Sequence, residues 1–126
     1  MNNVIEEKSY RFAIRIINLY KHLRFNKKEF VLSKQILRSG TSIGANVAES
    51  QQAQSRADFL SKLNIALKET AETKYWLRLL VETDYITNSE FDSIFMDCVE
   101  IEKILSSIVK KTKVRCTQSQ GQFLKV

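Results

Sequence analysis

Leu37-Arg38-Ser39-Gly40-Thr41-Ser42-Ile43-Gly44-Ala45-Asn46-Val47-Ala48-Glu49-Ser50 holds two of the three glycines in a chain without proline. By propensity the stretch reads as a loop. By period it reads as helix, because Leu32, Ile36, Ser39, Ile43 and Val47 recur at three- and four-residue steps. A glycine inside a helix costs about 1 kcal/mol relative to alanine, so two of them need a compensating gain. Gly40, Gly44 and Ala48 fall at i, i+4 and i+8, a smooth ridge on one helical face. Such a ridge lets a second backbone approach closely. The stretch is therefore expected to be the tight middle of a helix, with Arg38, Ser42, Asn46 and Glu49 as its polar residues.

The flanking segments carry the same period. Residues 4–25 show one apolar stripe, Tyr10, Ala13, Ile14, Ile17, Tyr20 and Leu23, widened by Phe12, Ile16 and Leu19. Asn3 with Glu6 resembles an N-terminal cap. Residues 29–52 form the second segment and residues 56–83 the third, which Ser55 and Asp58 open in the manner of a capping box. Thr87-Asn88-Ser89-Glu90 is a capping box of the usual form. Behind it Phe91, Ile94, Cys98, Ile101, Leu105 and Ile108 keep a strict heptad seam. The period ends after Lys111, and the basic residues 113–126 are expected to be disordered. Short connections between four long helices specify an all-α, up-down-up-down antiparallel four-helix bundle over residues 1–112.

The chain of 126 residues fits one domain. No apolar run reaches the roughly 18 residues of a membrane span, so no membrane partner is expected. The N-terminus lacks the pattern of a signal peptide. Cys98 and Cys116 form no CxxC and read as free thiols, which suits a cytoplasmic protein. The net charge of +6 is unevenly spread. Residues 1–38 carry nine Lys/Arg and three Glu, residues 39–102 five Lys/Arg and eleven Asp/Glu, and residues 103–126 six Lys/Arg and no acid. Two basic ends around an acidic middle suit a nucleic-acid surface, or charge-complementary packing between helices or subunits.

Few constellations offer chemistry. Ser39-Gly40-Thr41-Ser42-Ile43-Gly44 has the composition of a phosphate loop but lacks its lysine and a preceding strand. Glu49, Glu69 and Glu72 could face a bundle interior, yet di-iron bundles need two Glu-x-x-His pairs. His22 is the one histidine and lies on a polar face. Those carboxylates are better read as making inter-helix ion pairs and hydrogen bonds with Arg38, Asn46 or Lys68. Neither cysteine has a histidine partner and no GxSxG elbow occurs. The expectation is a non-enzyme with no cofactor and no metal.

The basic face remains. Lys8, Arg11, Arg15, Lys21, Arg24, Lys27 and Lys28, with Lys110 and Lys111 near the other end, are the candidate phosphate contacts. Such binding would ignore sequence and weaken with salt. The alternative is a scaffold whose basic face docks an acidic protein. The two apolar edges of the first segment exceed what one bundle buries, so the chain is expected to be a homo-oligomer.

The run from Gln35 through Ile36 and Leu37 to Glu49 resembles the signature of the small four-helix-bundle proteins encoded in intervening sequences of bacterial 23S ribosomal RNA genes. A second block agrees: Asp58-Phe59-Leu60, Ile65-Ala66-Leu67-Lys68-Glu69-Thr70, Glu72 and Tyr75-Trp76-Leu77. The resemblance covers residues 5–112, and Ser50 departs from the glycine often found after the Ala-Glu pair. It implies an up-down bundle assembled as a homopentamer. It also implies likeness to the accessory protein of diversity-generating retroelements, a basic pentameric barrel that binds nucleic acid and a reverse transcriptase. It implies no enzymatic activity, cofactor or metal. The ribosomal label such proteins carry rests on gene location.

Overall fold

The computed structural model describes residues 4–124, with side chains as far as Arg115. The Asn3 cap and the Cys116 thiol lie outside the described residues. Four helices follow one another: α1 (Val4–Lys21), α2 (Leu32–Ser50), α3 (Arg56–Glu82) and α4 (Asn88–Leu124). A π-helical turn, His22–Asn26, ends α1. Among the described residues there is no strand.

The starts of α2, α3 and α4 have local causes. Ser55 Oγ accepts from the Asp58 N–H at 3.0 Å and opens α3. Thr87 and Glu90 cap reciprocally: Glu90 N–H donates to Thr87 Oγ1 at 3.1 Å, and Thr87 N–H donates to Glu90 Oε1 at 2.8 Å. That bond, the largest of several influences, holds the Glu90 carboxyl below its ordinary range. The start of α2 differs from the sequence expectation, which put Glu29 inside the helix. Glu29 instead stays in the connection, where its carboxylate accepts from the N–H groups of Val31, Leu32 and Ser33 at 3.2, 3.0 and 2.7 Å. These are otherwise orphan donors of a helix N-terminus.

Successive helices run antiparallel. Gly40 sits over Ile16 and Gly44 over Ser9, Arg38 faces Glu69 and Glu72, and Glu49 faces Lys62. Lys8 meets Glu100, and Arg15 meets Asp97, where α4 closes on α1. The core gathers Ile5, Phe12, Ile16 and Leu23 from the first helix and its turn, with Ile36, Ile43 and Val47 from α2. Leu63, Ala66, Leu77 and Leu80 of α3 and Ile94, Cys98, Ile101 and Leu105 of α4 complete it. Cys98 Sγ lies 3.7 Å from the Thr70 carbonyl, and burial pushes its thiol up to about 12.

Two further expectations are corrected. On α1 the buried edge is Ile5, Ser9, Phe12 and Ile16, continued by Leu23 of the turn; of the expected stripe Phe12, Ile16 and Leu23 are buried, while Tyr10, Ile14 and Ile17 are exposed. Both edges have helical spacing, and only the placement of the other helices chooses between them. On α4 Val109 is buried where the heptad seam put Ile108, which is half-buried. A straight α-helix drifts about 20° per heptad away from a 3.5-residue repeat. Helix α4 itself runs on to Leu124, past the end of its apolar period.

The ridge packs as expected at its two glycines. A Cβ on Gly40 would lie 2.6 Å from Cγ1 and 2.8 Å from Cγ2 of Ile16. A Cβ on Gly44 would lie 3.1 Å from the Ser9 carbonyl oxygen, a backbone atom that cannot move alone. Ala48, the third residue of the ridge, is exposed. With Tyr10, Ala13, Thr41 and Ala45 it lines an open groove of about 660 Å³ between α1 and α2.

Candidate nucleic-acid interface

The cations singled out by sequence fall into three groups. Lys8, Arg11 and Arg15 lie along α1 and are all engaged. Lys8 Nζ is 3.2 Å from Glu100, and Arg11 pairs with Glu7 one turn back at 2.7 Å. Arg15 is 2.7 Å from Asp97, and its guanidinium donates to the Ser93 hydroxyl at 2.8 Å and carbonyl at 3.3 Å. Most of this row therefore closes the bundle against the acidic middle of α4.

Lys21, Arg24, Lys27 and Lys28 form the second group, at the corner where α1 turns into α2. Lys21, Lys27 and Lys28 are exposed and Arg24 is half-buried. Among the described residues no carboxylate forms an ion pair with any of the four. Glu90 feels Lys27 and His22 only as a minor electrostatic influence. Arg24 rests instead against aromatic rings, its guanidinium carbon 5.1 Å from the Phe30 centroid and 6.0 Å from that of Phe25. His22 is half-buried and shares a 2.9 Å hydrogen bond with Asn26.

Lys110 and Lys111, the third group, are exposed. The register of Lys8 against Glu100 and Arg15 against Asp97 carries them to the opposite end of the bundle from the corner. The nine candidates thus do not form one surface.

The motif residues of α2 do structural work. Arg38 pairs with Glu72 and, at 3.5 Å, with Glu69. Glu72 also accepts from Trp76 Nε1 at 3.0 Å. The Arg38 hydrogen bond, then that of Trp76, hold the Glu72 carboxyl below its usual range, while Glu72 raises Arg38. Glu72 turns to Arg38, not to Lys68 one turn away. Glu49 pairs with Lys62 at 3.0 Å. Ser42 Oγ donates to the Arg38 carbonyl at 2.6 Å, and Asn46 Nδ2 to the Ser42 carbonyl at 2.9 Å. Asn46 therefore bonds within its own helix and not across to another. The carboxylates a metal site would draw on, Glu49, Glu69 and Glu72, are all spent on cations.

Sequence reasoning missed Phe25, Phe30 and Val31 beside the corner cations. The signal was present as basic and aromatic residues alternating through Arg24-Phe25 and Lys28-Glu29-Phe30.

No helix among the described residues is long and apolar enough to cross a membrane. No curated protein matches the chain. Among solved structures, it is similar to a protein of unknown function of the S23 ribosomal protein family from Bacteroides thetaiotaomicron. The two are 64% identical with a TM-score of 0.85, over 86% of this chain and 96% of that one. The model of the 23S rRNA-intervening sequence protein family matches residues 1–107. With the glycine ridge and the bundle it closes, that match makes this chain a member of the 23S rRNA-intervening sequence protein family.

Proposed function

We propose that the protein is a non-enzymatic homo-oligomer, a pentamer by the resemblance noted above, that associates with RNA or DNA through basic surface. The observation that carries the reading is the corner group. Among the described residues no carboxylate is paired to Lys21, Arg24, Lys27 or Lys28, which stand together, while the α1 row is consumed within the fold. Self-association is supported by the second edge of α1, where Tyr10, Ile14 and Ile17 are 68%, 45% and 38% exposed. A second copy laid along that edge and the adjoining groove would remove this apolar surface from water. Cys98, buried and held protonated, suits packing and not nucleophilic attack.

Two measurements test the reading. Light scattering is expected to give a multiple of 14.6 kDa; a monomer at micromolar concentration contradicts assembly. With four phosphate contacts per corner, affinity for single strands is expected to fall about 50-fold between about 50 and 200 mM salt. Affinity insensitive to salt contradicts a phosphate surface. The same corner group favours one second reading, a scaffold whose basic face docks acidic proteins. Pull-down with and without nuclease separates the two, because a protein partner survives nuclease. A nucleic-acid enzyme such as a reverse transcriptase is the protein partner the resemblance implies.

A further inference from the structure

Residues 21–31 combine three features that phosphate contact alone does not need. First, hydrophobic groups stand in water: Phe25 is 60%, Phe30 48% and Val31 69% exposed. The protomer forgoes the stabilisation that their burial would bring. Second, the backbone that carries the rings is fixed by hydrogen bonds. The π turn keeps Leu23 in the core while Phe25 faces out. Lys27 N–H donates to the His22 carbonyl at 3.2 Å and Glu29 N–H to the Leu23 carbonyl at 2.9 Å. Lys28 reverses the chain at φ 56°, and Glu29 fixes the next turn through three N–H groups. Third, Arg24 lies against both rings, an arrangement in which a guanidinium keeps its edge donors for another ligand.

We propose that this corner is a binding site for single-stranded nucleic acid, in which unpaired bases stack on Phe25 and Phe30 while Arg24, Lys21, Lys27 and Lys28 contact the phosphates. The proposal rests on the nucleic-acid reading above and narrows it to a strand class and a place. A duplex hides its base faces and offers the rings nothing. An unpaired strand presents π faces and phosphates in alternation, and every base has such a face. A second copy seated corner to corner would bring four cations against four, with Glu29 already spent on its own helix.

The test uses the full chain, a labelled oligo(dT) of about 16 nucleotides and a duplex of equal length. Phe25→Ala/Phe30→Ala is expected to weaken oligo(dT) binding about tenfold or more. Duplex binding, melting temperature and oligomer mass are expected to stay unchanged. Phe25→Trp is expected to retain affinity and to show fluorescence quenched by the bound strand. Equal losses on strand and duplex, or no loss on the strand, overturn the stacking site while leaving the broader reading intact. A variant of reduced mass assigns the rings to a subunit contact and overturns the site. Loss of binding to anionic phospholipid vesicles with strand binding unchanged assigns them to a membrane surface and likewise overturns it. Wild-type protein that binds neither nucleic acid overturns both proposals.

Discussion

The middle of the bundle and its α1–α2 corner use the same residue types to opposite ends. In the middle, Arg15 is locked to Asp97 and Ser93, Arg38 to Glu72 and Glu69, and the glycines of α2 admit Ile16 and Ser9. At the corner, no carboxylate among the described residues is paired to Lys21, Arg24, Lys27 or Lys28, and Phe25 and Phe30 stand in water. A cation on a helix face is therefore weak grounds for a binding surface until its neighbours on the next helix are known. Substitutions in the middle are expected to change stability and leave binding alone, and those at the corner to do the reverse.

The largest effect is expected at Gly40. Leucine there would drive its side chain into Ile16, where even a Cβ comes within 2.6 Å. A loss of about 3 kcal/mol or more is expected, read as a lowered urea midpoint. An unchanged midpoint would mean that the ridge packs against nothing. Next comes Lys27→Glu/Lys28→Glu, expected to weaken single-strand binding on the order of 10–100-fold at low salt with no change in melting temperature. Arg15→Ala should behave oppositely. It opens an exposed ion pair between α1 and α4, so stability falls by about 1 kcal/mol or less, and affinity stays within about twofold. Equal loss of affinity in the two variants would erase the distinction between the regions.

The smallest effect is a pH dependence confined to the middle. Arg38 and Trp76 lower the folded-state pKa of Glu72. A depressed carboxyl contributes stability above its unfolded value and loses it as pH falls through the folded one. Acid titration below a glutamate's ordinary 4.5 is expected to cost the wild type more stability than Glu72→Gln, which has nothing there to protonate. Parallel acid curves for the two proteins would remove the pair from the account.

Much of the middle was legible because it is periodic. Gly40 and Gly44 at a four-residue step, the Thr87–Glu90 box and the run Ile94-to-Leu105 are local patterns, and helix geometry converts them directly into contacts. What failed needed the partner helix. Tyr10-Ile14-Ile17 and Phe12-Ile16 are equally good apolar edges, and the placement of the other helices decides which is buried. Lys8 and Arg15 looked free because Glu100 and Asp97 are more than eighty residues away in sequence. The corner was hidden for another reason. Its rings stand out through a π turn and a left-handed Lys28, neither of which has a periodic signature.

Ultraviolet crosslinking of the native protein to a single-stranded oligonucleotide, read out by mass spectrometry of the attached peptides, tests the division between corner and middle most directly. Crosslinks are expected within residues 21–31, with Phe25 and Phe30 as the attached positions and none in residues 7–16. Crosslinks confined to residues 7–16, or to the basic stretch around Lys110 and Lys111, would contradict it.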